Sequence, residues 1–215
     1  MKLKETQELV HINIDGIRVQ GILTIPGDSQ EIIIFSHARG SGRLSPGNTY
    51  VAQKLNRNGF ATLLTDLLTE KEDWAIENRF NTDLLTRRLI AITKWVKNNP
   101  GTRKLPIAYF GANTCAASTL KASIHFGSDI QAIVSRGGRP DLVYHDLDKV
   151  KSPTLLIIGR NDLDTIQLNS EAYAKLKCKK DMEIIPGASH LFEEPGEMEE
   201  VVKLAAGWFL AYSPS

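Results

Sequence analysis

The stretch Ile107-Ala108-Tyr109-Phe110-Gly111-Ala112-Asn113-Thr114-Cys115-Ala116-Ala117-Ser118 decides the fold. Its first half is a continuous apolar run, the pattern of a strand buried on both faces of a sheet. Gly111 marks a sharp turn, and the small residues beyond it suit a helix that packs closely on its own strand. Strand, turn and helix in immediate succession form one unit of a parallel α/β sheet.

The same alternation extends outward from that unit. Residues 31–36, 60–65, 105–110, 130–135, 154–158 and 182–185 read as strands, most of them continuous apolar runs. Helices are predicted over residues 46–58, with Val51, Leu55 and Tyr50 inward and Gly59 as C-cap, and over residues 82–98. Three more follow: one from the central turn to residue 126, then 167–176 and 196–212. Upstream, residues 9–14 and 17–25 alternate around Asp15-Gly16, which predicts an antiparallel hairpin near a sheet edge. Residues 67–81 read as an irregular, charged loop. The prediction is one α/β domain over residues 1–215: a mostly parallel twisted sheet of seven to eight strands, an N-terminal hairpin, helices on both faces and no cap domain.

Bulk composition narrows the function. The 215 residues carry a formal charge of +1, with 42% hydrophobic and 24% charged residues, which favours neither nucleic acid nor an anionic membrane as partner. No apolar run is long enough to span a bilayer, and the polar N-terminus lacks a signal-peptide centre. Cys115 and Cys178 are too few for a disulfide framework or a zinc site. A cytoplasmic protein with no metal and no cofactor is expected; oligomeric state is not encoded in any pattern found.

In open parallel sheets, ligands bind beyond the carboxyl ends of the strands. The residues there are His37 to Gly42, Asp66, Asn113 with Thr114, Arg136 to Arg139, Asp162 and His190. An acid after one strand and a histidine after the last match the chain order nucleophile, acid, histidine, here 113, 162, 190.

These pieces resemble an α/β-hydrolase of the dienelactone hydrolase-like group along nearly the whole chain. The resemblance is carried by Phe35-Ser36-His37 and its glycine-rich loop, Tyr109-Phe110-Gly111-Ala112, Ser135-Arg136-Gly137-Gly138-Arg139-Pro140-Asp141, residues 154–159 followed by Asp162, and residues 186–196 around His190. It implies ester or lactone hydrolysis through an acyl-enzyme. His190 then matches the general base and Asp162 its orienting acid. The Thr114 amide matches half of the oxyanion hole, with Ala38 or Arg39 supplying the other half. Three positions depart from the family pattern: Asn113 stands in place of the nucleophilic serine, Cys115 in place of a glycine, and Ala38 where a glycine usually follows the histidine.

An asparagine amide is not a nucleophile, although Asn tolerates the positive φ of such a turn and could hydrogen-bond to His190. The expected protein is therefore hydrolytically weak or inactive, retaining a pocket for a small ester, lactone or anionic ligand. Two alternatives stay open. One is hydrolysis by a water that His190 and Asp162 activate, or by Cys115, whose thiolate a helix N-terminus would favour, although its place two residues past the turn predicts a side chain buried in the sheet–helix contact. The other is a non-catalytic binding or interaction protein. Arg136 and Arg139, with Arg39, are candidates for holding an anion, weighed against pairing with Asp141, Glu193 or Glu194. Asp164 is the runner-up acid, and Trp74 is a candidate cover for the cleft.

Overall fold

Asp15 and Gly16 both adopt positive φ, 46° and 83°. A tight turn with that handedness matches the twist of the strands it joins. It connects β1 (Thr6–Ile14) to β2 (Ile17–Ile25) in an antiparallel pair. The computed structural model describes residues 5–37 and 42–214. In chain order there follow β3 (Ile32–His37), α1 (Pro46–Arg57), β4 (Ala61–Asp66), α2 (Glu70–Asp73), α3 (Thr82–Asn98), β5 (Ile107–Ala112) and α4 (Cys115–Phe126). The remainder is β6 (Ile130–Arg136), β7 (Thr154–Gly159), α5 (Leu163–Lys175), β8 (Lys180–Ile185) and α6 (Glu197–Tyr212).

Among the described residues the strands form one eight-stranded sheet in the order β1-β2-β4-β3-β5-β6-β7-β8. Pairing is parallel from β4 across to β8, and antiparallel where β2 meets β4. The fold is thus a mostly parallel α/β sheet with an antiparallel hairpin, as predicted. Because side chains alternate across each strand, the apolar runs feed two cores. Ile34, Tyr109, Ile133 and Leu156 pack with Leu89 of α3 and Leu120 of α4 on one face. Phe35, Phe110, Val134 and Ile157 pack with Leu55 of α1 and Phe209 of α6 on the other. The rings of Phe35 and Phe110 stack there, 4.8 Å between centroids.

Two local expectations are corrected, and one segment without an assignment gains one. Residues 67–81 are not irregular: they hold α2 and a 3-10 helix, Ile76–Phe80. Thr69 and Glu72 form a reciprocal capping box that nucleates α2, a Thr-x-x-Glu signal present in the sequence. Pro140–Lys149, left unassigned by the pattern, is a kinked 3-10 segment. Finally, α5 begins before residue 167, because Asp162 caps it by accepting the Thr165 N–H at 3.4 Å.

Candidate functional site

The site is built around the turn between β5 and α4. At Gly111 an added Cβ would lie 2.7 Å from the Ala116 Cα and 3.0 Å from the Thr119 side chain. Only glycine lets the helix fold back so closely on its strand. The cost of the sharp reversal falls on Asn113, whose φ is +52°. Backbone bonds to the loop after β6 hold it there. The Asn113 N–H donates to the Arg136 carbonyl at 3.3 Å, and the Asn113 carbonyl accepts the Arg139 N–H at 3.1 Å. The Ser135-to-Asp141 motif thus braces the turn through its main chain. The Asn113 side chain is half-buried and makes no hydrogen bond among the described residues; the bond to His190 considered from the sequence is not formed. The Thr114 amide, at the head of α4, has no acceptor among the described residues.

The turn projects Asn113 and Thr114 into a cleft of about 620 Å³ that is also lined by His190, Asp162, Asp164, His37 and Arg139. His190 and Asp162 come from loops after β8 and β7, far apart in sequence, and meet with Nδ1 to Oδ2 at 2.6 Å. Burial pushes the Asp162 carboxyl up, but the hydrogen bonds from Thr165 and His190 outweigh it, and the net value lies below the usual aspartate range. The carboxylate therefore stays ionised and fixes the imidazole with its Nδ1 side occupied. Asp164 lines the same cleft without bonding to His190 among the described residues.

Cys115 is a different case. It is buried, and desolvation pushes its thiol up to about 12, against weaker help from Ser36 and Thr114. The side chain packs in the sheet–helix contact, as its place two residues past the turn predicts, and only the alternative of a thiolate favoured by the helix terminus is overturned.

Arg136 and Arg139 do not act together. Arg139 lines the cleft, but its guanidinium is held bidentately by Asp141 at 2.8 and 2.7 Å. Arg136 turns to the other face of the sheet, where it is buried with its Nη1 3.5 Å from the Met198 Sδ and its guanidinium over the Phe192 ring. It meets neither the cleft nor any of the acids considered as partners among the described residues. Desolvation pushes Arg136 down to about 10. Ala38 and Arg39 lie outside the described residues. His37 lines the cleft and contacts the Asn48 side chain at 2.5 Å. Asp66 is paired with Arg43 beside the hairpin, in a separate cleft. Trp74 is 74% exposed and does not line the cleft.

The sequence reading missed one wall altogether. Ile76, Arg79 and Phe80 of the 3-10 helix, with Leu168 of α5 and Leu191, form it, and Ala112, Cys115 and Thr165 border the floor. The Thr69-x-x-Glu72 capping signal could have flagged structure in that region. No group of three or more His, Cys, Asp or Glu suited to a metal occurs among the described residues, and no helix there is long and apolar enough to cross a membrane.

Known proteins offer close parallels. A dienelactone hydrolase from Anabaena variabilis superposes with a TM-score of 0.94 at 43% identity, over 98% of this chain and 99% of that one. A dienelactone hydrolase-like promiscuous phosphotriesterase from metagenomic libraries gives 0.79 at 18% identity, covering 98% and 99%. Est1E from Butyrivibrio proteoclasticus gives 0.81 at 16%, covering 95% and 98%. These last two share the fold. Two Mycobacterium tuberculosis proteins named "Putative phosphoribosyl transferase" are 45% identical over 203 residues, 94% of this chain. The chain spans about half their length, 46%. No protein-family model matches the chain.

Proposed function

The chain belongs to the dienelactone hydrolase-like α/β hydrolases, and from that premise we propose that its cleft binds a small ester or lactone without forming an acyl-enzyme. One observation carries the reading: Asn113, at φ +52°, occupies the turn from which a nucleophile would attack, in the cleft that also contains the His190–Asp162 pair. The base and its orienting acid are retained, while the position they would activate holds an amide whose nitrogen lone pair is delocalised. Loss of a triad nucleophile costs on the order of a million-fold in turnover, leaving roughly 10³–10⁴ over water from the remaining site.

That residue of activity has a route. His190, with Nδ1 bonded to Asp162, takes a proton on Nε2 from a water that attacks the bound carbonyl. The developing oxyanion is stabilised by the Thr114 N–H. The imidazolium then returns its proton to the departing alkoxide, giving acid and alcohol. The transferase name of the longer relatives concerns proteins of which this chain matches less than half, and it enters neither step.

The test combines trapping with turnover. A fluorophosphonate probe should leave the protein unlabelled by intact mass spectrometry, while hydrolysis of p-nitrophenyl acetate is weak and falls at least tenfold in His190→Ala. A covalent adduct at any residue of the cleft would overturn the non-covalent assignment. Slow turnover that is unchanged in His190→Ala would overturn the water route and leave a binding protein.

A further inference from the structure

The charge and shape of the cleft say which ligands it takes, on the reading that it is a small-molecule site. Among the described residues two guanidinium groups line it, and both are already engaged. Arg79 donates through Nε and Nη2 to Asp73 at 2.7 and 2.9 Å, and Arg139 donates the same way to Asp141 at 2.8 and 2.7 Å. Each bidentate pair cancels its own charge and fixes the planar group sideways. What remains among the described residues is negative. Asp162 is held ionised, and Asp164 stands in the lining with no cation in ion-pair range among the described residues. A carboxylate entering beside them is repelled rather than captured.

The facing wall is apolar and incompletely covered. Ile76 is 64% exposed, Phe80 54% and Leu191 49%, and the half-buried Leu168 continues the surface. Single exposed hydrophobic residues need no explanation, but three lining one concave cleft mark a surface that gains by being covered. Ile76 and Phe80 are presented by the 3-10 helix, whose position is secured because the Arg79–Asp73 pair ties it to α2. The wall is therefore fixed in place, ready for a flat or branched apolar group.

We propose that the cleft selects uncharged ligands with an apolar arm, an aryl or branched alkyl group lying against Ile76, Phe80, Leu168 and Leu191, and discriminates against carboxylates. The carbonyl end of such a ligand lies toward Asn113 and Thr114, and the paired arginines serve as neutral, rigid flanks.

Three matched probes test this on the intact protein at pH 8: 4-phenylbutyramide, 4-phenylbutyrate and butyramide, titrated by two-dimensional amide NMR with the resonances of residues 113–115 and 190–191 as the site readout. None offers an ester to cleave. The amide with the phenyl group should bind about tenfold more tightly than its carboxylate. It should exceed butyramide by a similar factor, and Phe80→Ala should weaken it about five- to tenfold. In Asp141→Asn the freed Arg139 should raise the affinity for 4-phenylbutyrate. Tighter binding of the carboxylate to the parent protein would overturn the selectivity while leaving the small-molecule site intact. Equal binding of butyramide and 4-phenylbutyramide would overturn the apolar wall. If none of the three moves the cleft resonances, the small-molecule reading itself fails, and this inference with it.

Discussion

Replacing Glu31 by glutamine should stabilise the protein, and increasingly so as pH rises. Glu31 sits just before β3 and is fully buried. Its Oε2 accepts a 2.8 Å hydrogen bond from the Ser213 hydroxyl beyond α6, while Oε1 has no partner among the described residues. Burial pushes the carboxyl from the ordinary 4.5 to about 7, the Ser213 bond only partly opposing it. In the unfolded chain the group ionises above its ordinary value; in the folded protein it keeps its proton until about pH 7. Stability is therefore full below about pH 4.5, falls as pH rises toward 7 because the unfolded state loses its proton first, and levels off above. At about 1.4 kcal/mol per pH unit over that interval, the loss reaches roughly 3 kcal/mol by pH 8. Glutamine keeps the shape and the Ser213 contact but has no proton to lose. Urea unfolding followed by far-UV circular dichroism at pH 5 and pH 8 provides the comparison. The variant should exceed the parent by about 1 kcal/mol at pH 5 and about 3 kcal/mol at pH 8. Comparing the two proteins at each pH cancels the titration of other groups. A margin that is the same at both pH values would refute the buried-carboxyl reasoning.

Other perturbations address the site directly. Asn113→Ser should produce a stoichiometric burst of p-nitrophenolate and a gain of about a hundredfold or more in activated-ester turnover, lost again when His190→Ala is added; the serine should cost about 1 kcal/mol in stability because it tolerates positive φ less well. A folded Asn113→Ser protein with no burst would mean that the turn no longer presents its side chain to the dyad. Gly111→Ala should cost about 1–3 kcal/mol in denaturant unfolding, since its Cβ would lie 2.7 Å from the Ala116 Cα; an unchanged midpoint would disprove the close approach. Cys115 should resist a thiol reagent in the native protein and react only on unfolding, while Cys178, less buried, reacts first. Asp162→Asn should destabilise the protein at pH 6, and the difference should fade as pH falls through the depressed value of the folded carboxyl, because protonation then removes the same charge from the parent.

The dienelactone hydrolase-like frame was legible because its signals are local. Continuous apolar runs mark strands buried on both faces, and the Asp15-Gly16 turn marks the hairpin. The order 113, 162, 190 placed each residue at the end of a strand, where an open sheet collects its loops, and the structure brings all three to one cleft. Residues 67–81 were misread because their helices are too short for periodicity to register; α2 is announced by its cap instead.

By itself, the sequence determined the α/β class, the position of the turn after Gly111 and the candidate dyad, since strand burial, turn chemistry and chain order are properties of neighbouring residues. Only the tertiary structure decided what surrounds Asn113. Arg136 and Arg139 lie near each other in the chain, yet one is buried against Met198 and Phe192 and the other is paired with Asp141 in the cleft. Cys115 faces the packed core, as its place after the turn predicts, but the extent of desolvation that raises its thiol is set by the elements packed on it. The reason is common to all three: adjacent side chains leave a strand end or helix in different directions, and dielectric and partners are set by whatever distant element packs there. The asparagine could be read from one position, but the cleft around it, acidic on one side and apolar on the other, required residues from five separate segments to converge.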